Sequence, residues 1–177
     1  MFEFQKEKPD CSNKVLVLKL VSLAKFEDAK LLLKIHNASV KGGYFNSNNL
    51  IVYKDHIEWF KKKLKSNSKI YIGKNSIKKK FGYVRFDEVK SNIFEVSLGN
   101  LPSFYGKGFG SLILEKSIKK FKKKYKPKKI ISVVKKFNVR SAKCFLKNKF
   151  VKVKFDKKKH FTINKIDPKK EYYFELK

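Results

Sequence analysis

Between Phe104 and Ser111 the chain reads Phe-Tyr-Gly-Lys-Gly-Phe-Gly-Ser and runs directly into Leu112-Ile113-Leu114-Glu115-Lys116-Ser117-Ile118. Nothing else in the sequence constrains the fold as much. Glycines at alternate positions let the backbone turn tightly and let a ligand approach it without meeting a Cβ atom. Leu114, Ile118, Phe121 and Tyr125 then fall on one face of a helix beginning near Gly108. A glycine-rich turn that opens a helix is an anion site. Its first N–H groups have no intrahelical partner and carry the positive end of the helix dipole, which suits a phosphate or pyrophosphate.

The flanking sequence says where in a fold this turn sits. Residues 1–13 read as a flexible leader, and residues 14–177 as one domain. A Val/Leu-rich strand is expected over residues 14–20. A helix follows over 24–37, with Phe26, Ala29, Leu32 or Leu33, and His36 on one face. Residues 41–49 break the pattern as a loop. Asp55 is the expected cap of a second helix that places His56, Trp59, Phe60 and Leu64 on one face. Three strands, 69–73, 81–86 and 93–98, are separated by turn residues and suggest a meander that leads into the glycine run. Pro127 ends the long helix, 129–134 forms another strand, and Asn138 caps a shorter helix. Strands at 150–155 and 171–176 close the chain. The order β-α-α-β-β-β-α-β-α-β-β describes an α/β protein, a mixed sheet with helices on its faces.

Competing phosphate loops fail on spacing. A P-loop needs Gly, four residues, then Gly-Lys-Ser/Thr, which the chain lacks. A dinucleotide fingerprint needs a third glycine where Ser111 stands, and it follows the first strand of a βαβ unit rather than a meander.

The stretch Tyr105-Gly106-Lys107-Gly108-Phe109-Gly110 resembles the acetyl-CoA motif of the GNAT acetyltransferases, Arg/Gln-x-x-Gly-x-Gly/Ala, at every place but the first, where Tyr105 stands. Downstream, residues 138–150, Asn-Val-Arg-Ser-Ala-Lys-Cys-Phe-Leu-Lys-Asn-Lys-Phe, resemble the family's Asn-x-x-Ser-x-x-Leu-Tyr-x-Lys-x-Gly-Phe segment at the right distance. Residues 45–47, 55–64 and 82–87 are similar to the GNAT branch that N-acetylates nucleotide-linked amino sugars in pathways of the pseudaminic-acid type. The resemblance implies a central, mixed but mostly antiparallel twisted sheet of about seven strands flanked by about four helices. It implies transfer of an acetyl group from acetyl-CoA to a primary amine, without a metal, in the cytoplasm, by a monomer or homodimer.

Carried over to this chain, the backbone of Lys107, Gly108, Phe109, Gly110 and Ser111 grips the pyrophosphate, with Tyr105 and Gly106 in the same turn. The strand end at Leu98, Gly99 and Asn100 pairs with pantetheine, and Asn138 and Phe145 complete the donor site. Many relatives place at position 145 a tyrosine that protonates the leaving thiolate, which phenylalanine cannot do. A tolerant Asn148 at the helix end makes Lys149 a mild replacement for the family's glycine.

For the base that takes the amine proton, Glu95 is the first candidate, on one side of its strand with Ser97 and Gly99. The alternative for Glu95 is a simple ion pair with a lysine. His56 is the second candidate, and its alternative is a packed histidine beside Trp59. Phe45, Asn46, Trp59 and Arg85 are candidates for the acceptor side.

Composition limits the partners. The formal net charge is +30, which draws polyanions and repels polyamines and cationic drugs. Yet Arg85 and Arg140 are the only arginines, whereas base readers favour the bidentate guanidinium. Most aromatics fall at core periodicities, so a nucleic-acid-binding module is the least favoured reading. A protein or peptide amine is the alternative acceptor. Cys11 and Cys144 have neither disulfide nor zinc spacing, and no segment reads as membrane-spanning.

Overall fold

The computed structural model describes residues 18–44 and 49–177. The expected leader, the first half of the predicted first strand, and Phe45 and Asn46 lie outside the described residues.

The first strand is β1 (Leu18–Leu23), and a short 3-10 turn at Phe26–Asp28 precedes helix α1 (Ala29–Lys41). Helix α2 (Tyr53–Lys65) begins before Asp55, with Val52 at its cap position. Asp55 is therefore a first-turn acid that favours the helix dipole rather than the expected cap. His56 and Phe60 form its buried stripe, while Leu64 is exposed.

Strands β2 (Lys69–Asn75), β3 (Lys80–Lys90) and β4 (Ile93–Asn100) run longer than their apolar cores indicated. They form the antiparallel meander. Helix α3 (Phe109–Tyr125) starts one residue after Gly108 and stops at Lys126, just before Pro127. Strand β5 (Lys129–Lys135), helix α4 (Val139–Lys147), strand β6 (Phe150–Val153) and strand β7 (Glu171–Leu176) complete the chain. β6 is shorter than the alternating pattern suggested.

The seven strands form one sheet in the order β1-β2-β3-β4-β5-β7-β6, with only the β4–β5 pair parallel. The largest core lies between the sheet and the α3/α4 side. There Phe86 and Phe94 meet Phe121, and Phe145 meets Phe150 and Phe174. On the opposite face, Leu32 and Ile35 of α1 and Phe60 of α2 cover Ile70, Ile72 and Tyr83. A smaller cluster of Ile131, Ile166 and Tyr173 anchors the 154–170 segment on that same face beyond β5.

Candidate functional site

Among the described residues, the sheet parts between β4 and β5. β4 and β5 are in register only at Ile93–Lys129, Phe94–Ile130 and Glu95–Ile131, after which β4 continues to Asn100 and β5 to Lys135 without pairing to each other. Backbone groups beyond the last pair need partners from outside the sheet ladder. A cavity of about 370 Å³ opens at this parting. Leu98, Gly99 and Asn100 line it from β4, Tyr105, Gly106, Gly108, Gly110 and Ser111 from the glycine turn, and Asn138 from the start of α4.

Each glycine of the turn has its own reason. Gly106 (φ +72°) and Gly108 (φ +76°) adopt the left-handed conformation, which costs a side-chain-bearing residue roughly 1–2 kcal/mol. Gly110 is a matter of space, because a Cβ there would lie 2.9 Å from the Asn100 amide. That amide, oriented to satisfy both its ends, accepts from the Gly110 N–H at 3.2 Å and donates to the Gly99 carbonyl at 3.1 Å. The end of β4 is thus fixed to the first turn of α3. Asn138 caps α4 as expected, its side chain accepting from the Ser141 N–H at 3.2 Å.

Residues outside the expected set complete the cleft. The Arg140 guanidinium lies over the rings of both Tyr105, at 4.4 Å, and Tyr44, at 4.8 Å, and all three line the cavity. The one unmatched place in the glycine motif is thereby filled by a tyrosine that carries an arginine from α4. The only sequence signal was that Arg140, one of two arginines, falls inside the 138–150 element.

Three expected donor-site residues contribute otherwise. Lys107 does not line the cavity, and the Phe109 side chain packs against Phe81 and Phe104 in the core. The Phe145 ring is 1% exposed and faces Phe150 and Phe174. Cys144, one position earlier, lines the cavity instead, with burial pushing its thiol up to about 12. At the end of α4 the left-handed residue is Lys149 (φ +67°), not Asn148. Asn148 has another task, donating to Ser111 Oγ at 2.9 Å and to the Cys144 carbonyl at 2.9 Å, which ties α4 to the glycine turn.

No family model matches the chain, and no curated protein matches it in sequence. Solved structures do. The spermidine N-acetyltransferase of Vibrio cholerae in complex with CoA and spermine is 16% identical, with a TM-score of 0.74 over 89% of this chain and 94% of that one. A ribosomal-protein-alanine N-acetyltransferase from Brucella melitensis is 14% identical, with a TM-score of 0.72 over 88% and 98%. This is the GNAT acetyltransferase fold.

Across the GNAT sheet from the cavity lies a second set of candidates. Phe94, Val96 and Leu98 face α3, so Glu95, Ser97 and Gly99 point to the other face. A Cβ on Gly99 would lie 2.6 Å from Ile35 of α1, which shows how closely that helix approaches β4. Glu95 Oε2 accepts the Ile163 N–H at 2.8 Å from the 154–170 segment. Burial raises the Glu95 pKa above the ordinary carboxylate value, against the pull of that N–H.

Beside Glu95 in register is Asp87, 2% exposed, which accepts from Ser68 at 2.6 Å, from Lys63 at 2.7 Å and from Arg85. Burial alone would raise the Asp87 pKa, but Arg85, Lys63 and Ser68 outweigh it and hold the carboxylate below its usual value. Arg85, so positioned, lies 5.3 Å from the centre of the Trp59 ring. Trp59 and Arg85, two of the acceptor-side candidates, thus lie side by side.

His56 is placed differently. It is 3% exposed, stacks on Phe60, and its Nε2 donates to the Ala29 carbonyl at 2.9 Å. Burial lowers its pKa, so the ring is a neutral pin between α1 and α2. Among the described residues, no group of His, Cys, Asp and Glu is placed to hold a metal ion, and no helix is long and apolar enough to cross a membrane.

Proposed function

We propose that the protein is a cytosolic, acetyl-CoA-dependent N-acetyltransferase acting on the primary amine of a nucleotide-linked amino sugar used in surface glycans. The observation that carries this reading is the parting of β4 from β5 beside the glycine turn of α3. The residues present fit the donor. Two left-handed glycines and one sterically required glycine bring the backbone of the glycine turn to the N-terminus of α3, where a pyrophosphate binds. Arg140, Lys143 and Lys147 line the same cavity with positive charge. Leu98, Gly99 and Asn100 would hold the pantetheine arm through their backbone, with Asn138 beside it. When bound, the donor supplies an activated acetyl thioester.

Glu95 is the base in this reading. The amine nitrogen forms its bond to the acetyl carbon as the carbon–sulfur bond breaks, and the amine proton passes to the Glu95 carboxylate. Phe145 has no hydroxyl and faces the core, so no phenol from that position protonates the sulfur. The thiolate leaves unaided, as its low basicity permits. Holding both reactants in attacking geometry supplies most of the acceleration.

For the acceptor, Trp59 and Arg85 offer an aromatic face and a guanidinium on the Glu95 side of the sheet, suited to a sugar and its diphosphate. The +30 charge opposes a polyamine of the kind bound by the Vibrio relative. A protein or peptide amine is the second reading, favoured by the similarity to the Brucella ribosomal-protein-alanine enzyme.

The test is thermal stabilisation by acetyl-CoA, CoA and a short DNA duplex at physiological salt. Thiol release is then measured with a UDP-linked amino sugar, spermidine and a peptide beginning with alanine. Stabilisation by both CoA forms and turnover of the sugar nucleotide are expected. Stabilisation by DNA alone would overturn the reading.

A further inference from the structure

We infer that Ser97 is a further catalytic residue, its hydroxyl accepting a hydrogen bond from the acceptor amine and holding that nitrogen between itself and Glu95. This rests on the acetyltransferase reading above. Ser97 Oγ is buried and has no hydrogen-bond partner among the described residues. A buried unpaired hydroxyl weakens a fold, and alanine fills nearly the same space without that cost. Packing therefore gives no reason for a serine here.

The neighbours are occupied elsewhere. Ser97 stands opposite Arg85 in the register of β3 and β4, but the Arg85 Nε is committed to Asp87. Glu95 leaves the same face two residues earlier, a separation of about 6.7 Å along a strand. The longer Glu95 side chain can close part of that distance, so that one nitrogen comes within hydrogen-bond reach, about 2.9 Å, of both groups. Beyond Glu95, β5 no longer pairs with β4, and the two residues after Ser97, Leu98 and Gly99, line the cavity. Ser97 is thus the point on β4 where the Glu95 face adjoins the parted edge.

The chemistry of an amine explains why two groups are useful. A neutral primary amine has two N–H bonds and one lone pair. Directing one N–H to Ser97 Oγ and the other to Glu95 leaves the lone pair a single direction, toward the acetyl carbon at the strand edge. As the carbon–nitrogen bond forms and the carbon–sulfur bond breaks, one proton moves to Glu95, and Ser97 keeps its own. The arrangement depends only on the nitrogen, so it serves any acceptor that the cleft admits.

Ser97→Ala and Ser97→Thr test this in the full chain with four amines: hydroxylamine, a UDP-linked amino sugar, spermidine and a peptide beginning with alanine. Ser97→Ala is expected to melt no lower than wild type and to keep the full acetyl-CoA thermal shift. It should lose at least about tenfold in kcat/KM with every amine that wild type uses, through misplacement of the nitrogen. Ser97→Thr should regain most of that loss. Unchanged kcat/KM in Ser97→Ala, or a loss of activity that tracks a lower melting temperature, overturns the role of Ser97 alone. Absence of an acetyl-CoA shift in wild type, or failure of wild type to use any of the four amines, overturns the acetyltransferase reading and the serine role with it.

Discussion

The two faces of β4 are built on opposite principles. On the α3 side the cleft is shaped by backbone: glycines at 106, 108 and 110, the strand end at 98–100, and the Asn100 and Asn148 amides that hold the turn in place. On the α1/α2 side the charged candidates, Arg85 and Glu95, are each fixed by a hydrogen bond, Arg85 by Asp87 two residues along β3 and Glu95 by Ile163 of the 154–170 segment. Asp87 holds Lys63 as well. A backbone site tolerates change in most side chains but not in its glycines. A side-chain site responds to the loss of any one partner.

The largest expected effect is on the side-chain face. Asp87→Ala leaves Lys63 and Arg85 without their shared carboxylate and should cost about 3 kcal/mol. Calorimetry would read this as a fall of roughly 6–12 °C in Tm, and an unchanged Tm would mean that Asp87 does not hold that face together.

Glu95→Gln should lower kcat about a hundredfold while leaving the acetyl-CoA thermal shift intact. Only the ionised carboxylate accepts a proton, so wild-type turnover should rise with pH through the raised Glu95 pKa, and that limb should vanish in the variant. The stabilising contribution of this carboxyl is fully present below its unfolded pKa and is lost as pH rises through the folded value. The variant should therefore melt no lower than wild type at neutral pH. An unchanged pH profile would remove Glu95 as base.

Smaller effects belong to the backbone face. Gly108→Ala forces a side chain into the left-handed region, at about 1–2 kcal/mol. It should weaken acetyl-CoA binding about tenfold by calorimetric titration, with acceptor KM unchanged. Lys149→Gly relieves the same conformation at the end of α4 and should raise stability by roughly 0.5 kcal/mol after the entropic cost of glycine. Chemical denaturation would detect it.

This contrast also explains what the sequence made legible. The glycine turn, the meander ahead of it and the Asn138 cap are local, and their spacing alone identifies them. Elements bounded by clear breakers, such as α3 before Pro127 and β7 at 171–176, emerge with nearly the expected limits. What stayed hidden depends on contacts between distant residues. Asn148 gave up the left-handed role to Lys149 because its amide reaches Ser111, on another helix. His56 has the spacing of a candidate base, but the Ala29 carbonyl, reached only through the packing of α1 on α2, makes it a structural pin. Tyr105 breaks the motif in sequence, and the Arg140 guanidinium above its ring comes from α4. The partner of Glu95 came from the 154–170 segment, which carries no pattern that points to β4.

The most direct measurement is calorimetric titration of the wild-type chain with acetyl-CoA, paired with its thermal shift. If the parting of β4 and β5 receives the acyl donor, binding is saturable, and at a hundredfold excess over Kd the fold gains about 2.7 kcal/mol. Gly108→Ala then lowers affinity, whereas Glu95→Gln does not. Absence of heat and of thermal shift with both acetyl-CoA and CoA would contradict the assignment of this cleft.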